Sequence, residues 1–221
     1  MEHSEGKRRA APRPETSPRQ SKSAPAAQRT QRNIRRKLLL KEIALYALDI
    51  AQNSVTAQAK HLDITLAEED GVLTLTITDD GTGMSPELLS QVSDPFTTTR
   101  TTRKMGLGLP LLRLATEQTG GTLEIASTLG VGTTVTARFC TDHIDCPPIG
   151  DMAGTISLLL QGAPELEVRY LHRAGGTCLT FDTALVREQL GDGISLAEPE
   201  VVLWVRDYLQ EQELALNEQR G

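Results

Sequence analysis

Asp79-Asp80-Gly81-Thr82-Gly83-Met84 is the stretch on which the reading of this chain turns. It follows an alternating run, Leu73, Leu75 and Ile77 with threonines between, that has the two-residue period of a half-buried strand. Asp79 therefore stands at a strand end, where a carboxylate can accept a hydrogen bond from an exocyclic amine. The glycines beside it let a flat ring approach the backbone closely. Further on, Gly106-Leu107-Gly108-Leu109 puts a second glycine pair at the mouth of a helix, whose free N–H groups and positive dipole end suit phosphates. The two pieces fit opposite ends of one nucleotide. Each alone is a weak signal, because Asp-Gly turns after strands and glycines at helix starts are common.

A third piece lies upstream. Leu39, Ile43, Leu45, Tyr46, Leu48, Ile50 and Val55 give a helical apolar stripe, and on the same segment Asp49 and Asn53 stand four residues apart. That spacing projects both side chains from one helical face. A carboxylate and an amide placed there can orient a water and ligate Mg²⁺, a hard cation that takes oxygen ligands. Alone, the pair would read as a solvated polar stripe.

With these pieces in order, the chain resembles the GHKL, or Bergerat-fold, ATPase superfamily of histidine kinases, gyrase-type and mismatch-repair ATPases, Hsp90 and anti-sigma-factor kinases. Asp49-x-x-x-Asn53 matches the N box, and Asp79-x-Gly81-x-Gly83 matches the first glycine box. Asp94-Pro95-Phe96-Thr97-Thr98-Thr99-Arg100 is similar to the F box, Gly106-x-Gly108-Leu109 to the second glycine box, and Gly130-Val131-Gly132-Thr133-Thr134-Val135 to the last box. The resemblance covers about residues 38–140. It is strongest to the catalytic ATP-binding domain of nitrogen-regulation-type histidine kinases, whose lid reads Pro-Phe-x-Thr-Thr before Gly-x-Gly-Leu-Gly-Leu.

The resemblance implies ATP and Mg²⁺ as cofactors. By it, Asp79 binds the adenine amine, helped by Gly83 and, through water, by Thr133, and Asn53 ligates the metal. Gly81, Met84, Phe96, Thr98, Thr99, Arg100, Lys104, Gly106, Leu107, Gly108 and Leu109 fill out the nucleotide-site set, with Phe96 anchoring the base of the lid. Asp49 stands where relatives carry a catalytic Glu or another polar residue, so its role as general base or as water-orienting group stays open. The segment between Ser85 and Met105 has its own logic: Arg100, Arg103 and Lys104 among five threonines, with no hydrophobic period, read as a loop able to close over a triphosphate.

A self-contained histidine kinase also needs a phospho-acceptor histidine in a His-Glu-x-x-x-x-Pro context. His3, His61, His143 and His172 all lack that surrounding pattern. The expectation is no autophosphorylation within this chain, with the acceptor on a protein partner. A nucleotide-gated interaction switch of the anti-sigma type, binding ATP with little phosphotransfer, is the alternative.

Composition bounds the rest. Residues 1–37 hold eleven Lys/Arg against three Glu, a net of +8, so the remainder carries −14 of the overall −6. An arm rich in Pro, Ser, Ala, Gln and Arg cannot bury a core, and residues 1–32 are expected to be disordered. The acidic body argues against nucleic acid as the main ligand. Three cysteines, no apolar leader and no long apolar run predict a cytoplasmic protein without a membrane span. A homodimer is left open. Cys140, His143 and Cys146 with nearby carboxylates match no standard zinc spacing and read as a linker into Pro147-Pro148.

The expected layout is an ATPase domain over 33–140 with a two-layer α/β sandwich, a mixed sheet with helices on one face. A linker over 141–150 then leads to a small α+β C-terminal domain over 151–221. Within the first, a helix spans about 33–57, followed by a hairpin of Leu62–Ala67 and Val72–Asp79. A short helix then runs through Val92, with Ser85 as N-cap and Pro86 in its first turn. A further helix spans Leu107 to about Thr119, and two strands follow, Thr122–Ser127 and Thr133–Phe139. In the second, Leu166–Arg173 and Thr177–Asp182 form a hairpin and Thr183–Leu190 a helix. Ser195 opens a capping box for the final helix, and Trp204 is expected in the core.

Overall fold

The computed structural model describes residues 42–93, 108–191 and 193–218. Along the chain these form α1 (Ile43–Thr56), β1 (His61–Glu69), β2 (Val72–Asp79), α2 (Pro86–Ser93), α3 (Gly108–Gln118), β3 (Thr122–Thr128) and β4 (Gly132–Cys140). Then come α4 (Met152–Gly162), β5 (Glu167–Ala174), β6 (Thr177–Asp182), α5 (Thr183–Leu190) and α6 (Pro199–Glu218). All six strands lie in one mixed sheet of order β3-β4-β2-β1-β5-β6, and its one parallel pair is β1 with β5.

The alternation in sequence decides which side of the sheet is covered. Leu62, Ile64 and Leu66 of β1, Leu73, Leu75 and Ile77 of β2, and Val135, Ala137 and Phe139 of β4 are all buried. They meet Ile43, Tyr46, Ala47 and Ile50 of α1 and Leu112 and Ala115 of α3 in one hydrophobic cluster. Asp63, Thr65, Thr76, Thr78 and Arg138 occupy the intervening positions on the open face. This is the expected two-layer α/β sandwich with its helices on one face.

The hairpin β1–β2 turns at Asp70-Gly71, whose φ values of 50° and 74° are the paired positive angles of a primed two-residue turn. The segment after 150, expected as a small α+β unit, does hold the hairpin β5–β6. Its strand β5 hydrogen-bonds to β1 from His61 opposite Glu167 to Ala67 opposite Arg173, so the sheet runs on across the linker. Alternating sequence shows that a strand exists but not which neighbour it pairs with.

The apolar run Ile156–Leu160 lies in α4, whose N-cap Asp151 accepts the Gly154 N–H at 2.7 Å. Two further expectations are corrected. The last helix begins at Pro199 rather than at Ser195, because Ser195 Oγ accepts the Ala197 N–H in a turn of its own and proline fits the first helical position. Trp204 is 49% exposed, outside the core. The part of the first helix expected over 33–41, and the basic arm, fall outside the described residues.

A buried polar knot joins α6 to the sheet. Tyr170 of β5 donates its hydroxyl to Glu213, and His172 Nδ1 lies 2.9 Å from Glu213 Oε2 with His172 fully buried. Burial, reinforced by the Glu213 charge, pushes the Tyr170 pKa strongly upward, so its proton stays in the bond. Among the described residues, no helix is long and apolar enough to cross a membrane.

Candidate nucleotide site

The site is built where α1, the end of β2 and the start of α3 meet. Asp49 and Asn53 sit one turn apart on α1, Asp49 half-buried and Asn53 exposed. Ser54, the next residue, is turned about 100° round the helix and is buried. Its hydroxyl donates to Asp79 Oδ2 at 2.7 Å, while the Gly81 N–H donates to Asp79 Oδ1 at 2.9 Å. Two donors on two oxygens fix the plane of the carboxylate and leave each oxygen a further lone pair for a ligand.

Asp79 pairs across the sheet with Thr133, so the residues read as contacting adenine directly and through water are strand neighbours. Ser127 ties them to the glycine loop. Its Oγ accepts the Met84 N–H at 2.8 Å, donates to the Gly132 carbonyl at 3.0 Å and lies 2.9 Å from Thr133 Oγ1.

Gly83 has φ +62°, and a Cβ there would lie 2.1 Å from the Thr128 carbonyl oxygen. Only glycine fits that approach of loop to strand. Gly108 opens α3 buried against α1: a Cβ there would lie 2.9 Å from Asp49 Cβ. Gly108 of the second glycine box is thus packed against Asp49 of the N box, and Leu109 packs onto the core beside it.

The electrostatics follow from burial and pairing. Tyr46, one turn before Asp49, has its pKa pushed up to about 12, first by burial and then by the Asp49 charge. Asp80 faces away, toward the start of β1. Its Oδ1 accepts the Lys60 and His61 N–H groups at 2.7 and 2.9 Å, and its Oδ2 lies 2.6 Å from His61 Nδ1. Burial works to raise the Asp80 pKa, but the hydrogen bonds from the His61 ring and from both backbone groups win and draw it down to about 2. The Asp80 bond in turn raises the His61 pKa.

Ser54, Ser127 and the Asp80–His61 pair were not singled out in the sequence. Ser54 carried a signal, being one residue past Asn53 and so turned to the buried face of the same helix. Ser127 and His61 carried none, since their partners lie far away in the chain.

Phe96, Thr98, Thr99, Arg100, Lys104, Gly106 and Leu107 lie outside the described residues, as do Arg103 and the other threonines of the expected lid, whereas the start of that segment forms α2. A hollow of about 410 Å³ on the open face includes Asp79, Gly132 and Thr133 in its lining, but not Asp49, Asn53 or Gly108. It reaches the strand end of the site from the side away from the helices.

The donor chemistry fits the implied cofactors. A carboxylate and an amide on one helical face, with no sulfur or imidazole among them, suit Mg²⁺. The oriented Asp79, with lone pairs to spare, suits an amine donor.

This arrangement defines an α/β domain in which a polar helix face meets a glycine-turned strand end. Residues 35–143 match the family described as histidine kinase-, DNA gyrase B-, and HSP90-like ATPase. That segment of the chain belongs to this family, as the catalytic ATP-binding domain of histidine kinases does.

Similar proteins are histidine kinases and sensors. The histidine protein kinase DivJ of Caulobacter vibrioides is 35% identical over 105 residues, covering 45% of this chain and 17% of that protein. The sensor histidine kinase ZraS of Escherichia coli is 32% identical over 91 residues, 40% of this chain and 19% of its own length. The sensor protein SrrB of Staphylococcus aureus is 38% identical over 84 residues, 36% of this chain and 14% of its own. The chain thus spans less than one fifth of the length of each of these relatives.

Proposed function

We propose that this chain binds ATP with Mg²⁺ and passes the γ-phosphoryl group to a side chain on a separate protein in a cytoplasmic signalling route. The observation that carries the reading is that one helix, α1, receives both distant pieces: Gly108 packs against Asp49, and Asp79 accepts a hydrogen bond from Ser54. In this reading Asp79 accepts the adenine amine, with Ser54 and the Gly81 N–H holding it in plane. Asn53 supplies an amide oxygen to the metal. Mg²⁺, when bound, would offset the charge of the phosphate oxygens. Asp49 steers the attacking group and receives its proton as the bond from the γ-phosphorus to the departing ADP oxygen breaks. The start of α3 directs its N–H groups at the phosphates.

The test is incubation with γ-labelled ATP, alone and with candidate partner proteins. Label on a partner, and none on this chain alone, is the expected result. Binding with only slow release of free phosphate and no labelled protein would assign the nucleotide-gated switch instead. No calorimetric heat with adenosine nucleotides and magnesium would overturn both.

A further inference from the structure

The strongest feature outside the nucleotide site is the outer face of α6. The protein has only seven Phe, Tyr and Trp residues, yet three of them form one ladder running from core to surface. Phe181 of β6 is buried, Tyr208 lies 6.5 Å from it between ring centroids, and Trp204 stacks on Tyr208 at 5.5 Å with an interplanar angle of 13°. A chain this poor in aromatics has no surplus rings to leave at the surface. Even so, its single tryptophan is 49% exposed, and its neighbour Leu203 is 57% exposed.

The charge around the ladder has one sign. Glu200, Asp207 and Glu211 stand four residues before, three after and seven after Trp204, which puts all of them on its helical stripe. All three are exposed, and among the described residues no Lys, Arg or His pairs with any of them. The single cation of α6, Arg206, is turned to Asp151 at 3.6 Å.

We propose that this face is a docking site for a basic segment of a partner protein that carries apolar anchors. Leucine-type side chains would cover Leu203 and the free face of Trp204, and Lys or Arg would meet the three carboxylates. A guanidinium or ammonium over the indole gains a further cation–π contact. The carboxylates repel nucleic acid and anionic lipid, so a cationic peptide is the occupant the charge selects. Tyr208 beneath Trp204 holds the ring in place, so little side-chain freedom is lost on binding.

The probe is a fluorescently labelled amphipathic peptide with leucines on one helical face and lysines and arginines on the other, titrated into the full chain by anisotropy. The same peptide with glutamates for its basic residues is the control. Saturable micromolar binding of the basic peptide, with quenching or a blue shift of the Trp204 emission, is expected. Charge reversal at Asp207→Lys with Glu211→Lys should weaken it at least tenfold, as should Trp204→Ser, with far-ultraviolet circular dichroism and melting unchanged. Because all three residues are exposed, these variants are expected to fold. Equal binding of the acidic peptide would overturn the proposal, as would indifference to the charge reversal. So would preferential binding to anionic vesicles or a Trp204-dependent self-association. The nucleotide site is not part of this test, and ATP affinity measured on the same variants should be unchanged.

Discussion

Replacing Ser54 by alanine tests the site at the point where its two halves are joined. The Ser54 hydroxyl has one proton, and the 2.7 Å distance to Asp79 Oδ2 against 3.4 Å to the Ile50 carbonyl commits it to the carboxylate. A hydrogen bond to a charged group contributes about 1.5–3 kcal/mol when both partners are kept from water. Asp79 is half-buried, so water can replace part of the lost contact, and about 1–1.5 kcal/mol is the expected loss. That corresponds to roughly 5–12-fold weaker ATP binding. Ser54→Thr keeps the hydroxyl and should stay within about twofold. Calorimetric titration with Mg-ATP reads both, alongside circular dichroism to show the fold is kept. If Ser54→Ala binds ATP as wild type does while Asp79→Ala loses binding, Asp79 orientation does not depend on Ser54 and the reasoning is refuted.

Gly83→Ala places a Cβ 2.1 Å from the Thr128 carbonyl in a left-handed conformation, and a loss of about 2–4 kcal/mol in stability is expected, measured by denaturant unfolding. Asn53→Ala should abolish the magnesium dependence of nucleotide binding, seen as equal affinity for ATP with and without the metal; its side chain is exposed, so the melting temperature should hardly move. The Asp80–His61 pair sets a pH window. Asp80, held at about 2 against an ordinary 3.8, stabilises the fold fully above 3.8 and loses this as pH falls toward 2. His61, raised above 6.5, stabilises it fully below 6.5 and loses this as pH climbs through its higher folded value. The melting-temperature gap between wild type and Asp80→Asn should therefore be widest between pH 4 and 6.5 and close on either side.

Much of this was legible in the sequence because it rests on local periodicity. The alternation of Leu73, Leu75 and Ile77 assigns β2, Asp70-Gly71 assigns its turn, and the i, i+4 spacing of Asp49 and Asn53 assigns their common face. The nucleotide-site motifs were readable for the same reason, since each is a short string whose order survives without coordinates. The pairing of β5 with β1 was not readable, because nothing local in His61–Ala67 specifies which strand lies beside it. Trp204 escaped too: size and apolarity predict burial, and only the packing shows that Tyr208 already fills the space beneath. The start of α6 was misplaced because a Ser-x-x-Glu string fits a helix cap and an isolated turn equally well.

The bond row between β1 and β5 bears on how this protein can be cut. A fragment ended at the family boundary, residue 143, would lose Pro148 and Ile149, whose carbonyls take the Ile43 and Ala44 N–H groups at 2.9 and 2.8 Å. It would also leave a seven-residue edge of β1 with the amides and carbonyls that face β5, those of alternate residues, bare to water. Such a naked border invites a second molecule to zip onto it. The trimmed piece should therefore clump where the longer chain remains dispersed, and the tail doubles as its own chaperone.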